Sequence, residues 1–294
     1  MAIDLNKIKE LEEKLARTER ELKEAELEEE FERILREYHG DDEVISFEEM
    51  KKLLEEKKDF WIAKTKIPTL DKLIEGFREG DLIVVTAPTS HGKTTFCQTL
   101  TNKFSDQGIK SLWFSYEVPV KEFLAKFGDD LPLGYLPKSL VSRALLWIER
   151  KIVEAIAKYQ IKVVFIDHLH YLIDLARMRN PSLEIGSIVR KLKEIALKYE
   201  LVIFIVAHMT KTKFDEKAGI EDIRDSSFIS QEADYVICLQ RIAEKQSKRD
   251  LIERGKIYTN QTLLSVEKNR RTGKLGSLKL ILKDEFFEEL TEDL

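Results

Sequence analysis

The chain has 294 residues, with 49 Lys+Arg against 54 Asp+Glu for a formal net charge of −5, and is 43% hydrophobic and 35% charged. That balance excludes a disordered chain and a surface that is basic all over, and it leaves room for one large domain with an extension or for two small domains. No stretch reaches the roughly 20 apolar residues of a membrane span, the start (MAIDLNKIKE) carries no signal-peptide core, and Cys97 and Cys238 lie far apart without metal-ligand spacing, so a reducing cytoplasm is the expected setting.

The first 40 residues hold 13 acids against 8 bases and have no Pro, with no Gly before Gly40. Ile8, Leu11, Leu15 and Leu22 fall at helical spacing, which predicts one long, thin-striped amphipathic helix. A solvated extension and a self-association device are both compatible with it, since the heptads stop by Ala25. Ser46 followed by Glu49 forms a capping box and predicts a second, short helix.

After Trp61 the texture changes. Leu82–Val85, Val163–Ile166, Leu201–Val206 and Tyr235–Leu239 are short, unbroken, β-branched runs, as expected of strands buried on both faces of a parallel sheet, and Ser111–Ser115 is a further strand. Helical patterns at 139–159 and 185–199 alternate with them. Strand–helix alternation predicts an α/β domain with helices on both sheet faces, here residues 60–294 behind a charged helical extension at 1–59. Leu263–Val266 and Leu278–Leu282 read as antiparallel edge strands with a turn at 271–276. The charged stretch 242–258 carries no functional reading.

The strongest signal is Ala87-Pro88-Thr89-Ser90-His91-Gly92-Lys93-Thr94, set between the strand at 82–86 and a helix expected at 95–103. It fits a phosphate loop with Ala87 in place of the usual first Gly. Successive backbone N–H groups and the helix start, with Thr95 among them, wrap the phosphates. Lys93 neutralises their charge and the Thr94 hydroxyl ligates Mg²⁺, so the cofactors called for are ATP and Mg²⁺. His91 reads as a spacer facing solvent.

Hydrolysis also needs a carboxylate on the metal and a group that activates water. The run 163–166 delivers Asp167 to the carboxyl edge of its strand, where α/β folds place ligands. Glu117 follows the strand 111–115 at the same edge, and reads either as the water-activating base or as an ordinary helix N-terminal carboxylate. His208 ends the run 201–207 and either senses a γ-phosphate or caps the strand. Asp167-His-Leu-His170 invites a metal reading. With no third ligand evident and alternate residues not converging, the two histidines are read as structural.

Together these motifs resemble the DnaB-type replicative helicases (superfamily 4) of the RecA-like ATPases over roughly residues 60–290. The carriers are Ile67–Asp81, the Ala87 form of the phosphate loop, Phe114-Ser-Tyr-Glu117, Ile166–Leu172, Asp222–Asp234 and Ser265–Gly273. The resemblance implies a RecA-like P-loop NTPase core and an ATP-hydrolysing DNA helicase. The assembly it implies is a homohexameric ring moving 5′ to 3′ on single-stranded DNA, with a primase or a helicase loader as further partners. It implies that Lys268 and Arg270, alternating along one strand, clamp γ-phosphate charge in the neighbouring subunit, with Arg271 adjacent. The bland alternative for both is charge that protects an edge strand. Two loops, with Arg177 and Arg179 in one and Lys211 and Lys213 in the other, would contact DNA phosphates in a central channel. The chain departs from bacterial members in carrying His208 where they carry Gln, and in having only an acidic helix ahead of the motor. A RecA/KaiC-like DNA-dependent or regulatory ATPase without unwinding, and a non-catalytic nucleotide-binding scaffold, are the alternatives.

Overall fold

Runs that are apolar on both faces cannot be left at a surface; each must be covered from two sides. A computed structural model of the chain describes residues 5–36, 40, 43–56, 61–141, 144–172, 181–209, 231–244 and 257–291. The chain divides into two units, residues 1–59 and 60–294. No helix among the described residues is long and apolar enough to cross a membrane.

The first unit holds α1 (Leu5–Arg36) and α2 (Phe47–Glu56). Helix α1 carries exposed i,i+4 pairs, Arg17–Glu21 at 3.0 Å and Glu32–Arg36 at 2.9 Å, each contributing about 0.2–0.5 kcal/mol at most. Leu15 and Leu22 of the expected stripe are exposed, while the side chains of Ile8 and Leu11 lie outside the described residues. At α2 the capping box forms. The Glu49 N–H donates to Ser46 Oγ at 3.2 Å and the Ser46 N–H donates to Glu49 Oε2 at 2.9 Å.

In the second unit, β1 (Ile62–Ala63) and β2 (Phe77–Arg78) pair around α3 (Pro68–Ile74). A nine-stranded sheet follows. From one edge it runs β11 (Phe286–Glu289), β10 (Gly276–Lys283), β9 (Tyr258–Asn269), β8 (Tyr235–Ala243), β3 (Leu82–Ala87), β7 (Val202–His208), β6 (Val163–Asp167), β4 (Ser111–Ser115) and β5 (Gly134–Tyr135). From β8 to β5 the strands are parallel, and β8 through β11 are antiparallel. The expected α/β class, mainly parallel with helices on both faces, is what the chain adopts.

Alternate residues of β3 feed two cores. Ile83, Val85 and Ala87 join Phe96, Leu100 and Phe104 of α4 (Lys93–Ser105) on one face. Leu82 and Val84 join Ile148 and Ile152 of α6 (Leu145–Tyr159) and Val189 and Leu192 of α7 (Pro181–Lys198) on the other. The helix expected from Ser139 begins at Leu145, because Ala144 is extended (φ −65°, ψ 133°). The helix expected from Ile185 begins at Pro181, whose fixed φ suits a first helical turn.

The charge-rich end of the chain hides strand β11 from a pattern search. Phe287 of β11 is 3% exposed, and its N–H donates to Thr99 Oγ1 of α4 at 3.0 Å. Its ring lies where a Cβ on Gly92 would come within 2.8 Å, so this position of the phosphate loop has no space for a side chain. The sheet edge thus braces the helix that carries Lys93. Phe287→Ala removes that brace and leaves a cavity, and the expected loss of about 3–5 kcal/mol is read from urea denaturation midpoints.

Candidate functional site

Strand β3 ends at Ala87 and the loop turns through two residues with positive φ, Ser90 (65°) and Gly92 (86°), before α4 starts at Lys93. The helix begins two residues earlier than Thr95, since Gly92 as its cap residue adopts the left-handed turn without strain. No side chain caps this helix start, and its first residues Lys93, Thr94 and Thr95 line a cleft together with Thr89, Ser90, Glu117 and His208. The cleft measures about 370 Å³.

Lys93 is 6% exposed, and its Nζ donates to the carbonyls of Ala87 at 3.1 Å and Pro88 at 3.2 Å. Burial pushes its pKa down, while attraction to Glu117 and Asp167 opposes the shift. Thr94 Oγ1 donates to Asp167 Oδ2 at 2.7 Å, joining the phosphate loop to the end of β6. Asp167 is fully buried, and its pKa is raised to about 6, mainly by desolvation; the Thr94 bond opposes this and Glu117 adds to it. Its other oxygen, Oδ1, has no hydrogen-bond partner among the described residues. An orphaned carboxylate oxygen beside a threonine hydroxyl fits the donor set of a hard divalent cation.

Glu117 stands exposed in the bend after β4, ahead of Pro119, the cap residue of α5 (Val120–Ala125). It therefore lies outside the first turn of that helix and lines the cleft instead. The register of the parallel ladder sets Ala87 beside His208 and Ser115 beside Asp167, so four strand ends converge on one edge.

Lys268 and Arg270 do not line this cleft. Both reach the start of β8: Lys268 Nζ donates to the carbonyl of Ala233 at 2.6 Å, and Arg270 donates to Asp234 Oδ1 at 3.1 Å and to the carbonyl of Gln231 at 2.5 Å. Arg271 is engaged elsewhere, its Nη2 donating to both oxygens of Asp81 at 2.9 and 2.8 Å. Arg177, Arg179, Lys211 and Lys213 lie outside the described residues, as do residues 245–256 of the charged stretch.

Residues 63–127 and 140–289 match the model of the DnaB-like helicase C-terminal domain. The chain belongs to this family. It is 26% identical over 247 residues to the replicative DNA helicase DnaB of Mycoplasma pneumoniae (strain ATCC 29342 / M129 / Subtype 1), covering 70% of this chain and 52% of that protein. It is 26% identical over 257 residues to the DnaB of Helicobacter pylori (strain ATCC 700392 / 26695), covering 71% and 52%. The chain spans about half the length of the curated relatives it matches. Among solved structures, the ATPase domain of G40P aligns with a TM-score of 0.66 at 18% identity, over 83% of this chain and 96% of that one. A DnaB-like replicative helicase solved with its interactions with primase aligns with a TM-score of 0.66 at 19% identity, over 91% and 72%.

Within this DnaB-like domain two readings of the sequence are corrected. His91 does not face solvent. It is 8% exposed, its Nδ1 accepts the Arg241 N–H at 3.1 Å, and its ring meets Tyr258 edge-on at 5.1 Å. Strands β8 and β9, distant in sequence, enclose the loop, so local polarity misleads. The expectation that no third ligand joins the histidines of 167–170 is corrected too. The His168 ring packs 3.6 Å from that of His208, and Glu117, His168 and His208 bring ligand atoms within 4.8 Å of one another. The strand β7 supplies the convergence that the spacing of 167–170 cannot show. Cleft residues such as Arg241, Asn260 and Thr262 were missed because no motif marks them.

Burial holds both imidazoles neutral, pushing the His168 pKa down to about 3 and that of His208 down to about 4; His168 also feels repulsion from His208, and His208 from Lys93. An unfolded histidine gains its proton near pH 6.5, well above the folded value, so the contribution of His168 to stability is complete above about pH 6.5 and is lost as pH falls toward 3. The urea midpoint should therefore drop between about pH 7.5 and pH 5, and His168→Gln should drop less over the same interval.

Proposed function

We propose that the chain is the motor of an ATP-dependent replicative DNA helicase, a homohexameric ring that hydrolyses ATP at its subunit interfaces and translocates 5′ to 3′ on single-stranded DNA. The observation that carries this reading is the hydrogen bond from Thr94 to Asp167 beneath an uncapped helix start, with Lys93 alongside and Glu117 across the cleft. Family membership supports the same reading.

ATP with Mg²⁺ would be held by residues 87–95, with Thr94 and Asp167 on the metal, which when bound offsets the negative charge of the terminal phosphates. The N–H groups at the start of α4 and the Lys93 ammonium bind the phosphate oxygens. Lys93 is already desolvated and needs only to exchange two carbonyl partners for phosphate oxygens. Glu117 accepts the proton of the attacking water from the exposed side of the cleft. His208, neutral and at the end of β7, offers an N–H to the γ-phosphate. Arg270 and Lys268 complete the site of the neighbouring subunit, which makes turnover depend on assembly. Arg177, Arg179, Lys211 and Lys213 are proposed as the contacts to single-stranded DNA. A primase or a loader is proposed as a further partner, in keeping with the primase interactions of the solved DnaB-like neighbour. Residues 60–294 are proposed as the motor domain and 1–59 as its helical extension.

Lys93→Ala should abolish ATP turnover, measured by phosphate release with and without single-stranded DNA. Arg270→Ala should reduce turnover by about 10³-fold or more while nucleotide binding by equilibrium titration stays within a few-fold of wild type. Unwinding of a forked duplex separates the helicase from an ATPase that does not unwind, and turnover without strand displacement removes the helicase reading.

A further inference from the structure

We infer that Glu117, His168 and His208 form a binding site for a zinc-class divalent cation, distinct from the magnesium position at Thr94 and Asp167. The three residues come from three different strand ends, and each offers one ligand atom within 4.8 Å of the others. His168 is 1% exposed, and its Nδ1 lies 2.9 Å from the carbonyl oxygen of Val206. A carbonyl can only accept, so the Nδ1 carries the proton and the Nε2 presents a bare lone pair. That Nε2 is buried and has no hydrogen-bond partner among the described residues, and the same is true of His208 Nδ1. Anchoring of one ring nitrogen on a backbone carbonyl is the usual support for an imidazole that ligates a metal through the other.

The ligand chemistry selects the ion. Two imidazoles and one carboxylate suit zinc and its neighbours in the transition series, whereas magnesium prefers oxygen ligands and water. Three protein ligands also leave the fourth position open to water, as in other zinc sites of this composition. In a tetrahedral zinc site, bonds of about 2.0–2.2 Å hold ligand atoms about 3.3–3.6 Å apart, so a pair at the 4.8 Å limit must close by more than about 1 Å. The exposed Glu117 side chain can supply the movement by changing rotamer, and the cleft gives solvent access to it and to His208. Lys93, the nearest cation of the loop, is turned onto the carbonyls of Ala87 and Pro88.

A carboxylate that ligates zinc cannot also take a proton from water, so the ion holds the motor off. This consequence rests on the proposed role of Glu117; occupancy of the site does not. The test uses the full chain, stripped with a chelator and without nucleotide, titrated with zinc chloride by calorimetry and with cobalt(II) by visible absorption. The expected result is one ion per chain with a four-coordinate cobalt spectrum, and a loss of more than about tenfold in affinity in each of Glu117→Gln, His168→Asn and His208→Asn. Glu117 is exposed, so its variant tests the site even if a histidine variant fails to fold. No binding, equal affinity in wild type and Glu117→Gln, or magnesium binding in place of zinc would each overturn the inference. No zinc binding by a chain that turns over ATP would refute the site alone, whereas zinc binding by a chain whose zinc-free form shows no turnover with magnesium would refute the motor reading alone.

Discussion

Ala87 stands beside His208 and Ser115 beside Asp167 in the parallel ladder, and the chemistry of the molecule hangs on those pairings. A slip of one residue would turn each terminal side chain to the opposite face of the sheet and take Asp167 away from Thr94. The register is held by burial. Ile83, Val85 and Ala87 belong to one core and Leu82 and Val84 to the other, so a one-residue slip would exchange two well-packed faces at once. The polar groups sit where this packing ends, at the carboxyl edge.

The same edge concentrates groups whose charge is unwelcome there. Burial lifts the pKa of Asp167 and depresses those of Lys93, His168 and His208. In the proposed function a polyanion with its cation would supply the missing counter-charge. At the opposite, amino end of β8 and β3, Asp234 collects Lys193 at 2.6 Å and Arg270 at 3.1 Å, and accepts the Leu82 N–H at 2.8 Å. Arg270 is thereby anchored at the base of β3 while its neighbours in sequence form the turn into β10.

Much of this was legible from residues alone, for physical reasons. Strands buried on both faces announce themselves as unbroken apolar runs, and β3, β4, β6, β7 and β8 all fall where those runs lie. The phosphate loop was legible because a strand, a glycine in the left-handed region and a helix must follow each other in sequence. Strand β11 was not, since Phe286-Phe-Glu-Glu289 has two apolar residues in a charged tail and gains its place by pairing with β10 and packing on α4. The positions of His91 and His168 were misread for one shared reason. Each is decided by a strand far away in the chain, β8 with β9 for the first and β7 for the second, and local spacing carries no trace of it.

The central claim is that one protomer's Arg270 acts on the nucleotide held by its neighbour's Glu117 and Lys93. Mixing two inactive populations, Glu117→Gln and Arg270→Ala, and measuring ATP turnover against each alone tests it most directly. The account predicts that the mixture regains activity, because some interfaces then join an intact glutamate to an intact arginine. A mixture as inactive as its parents, in rings shown by mass measurement to contain both chains, would contradict it.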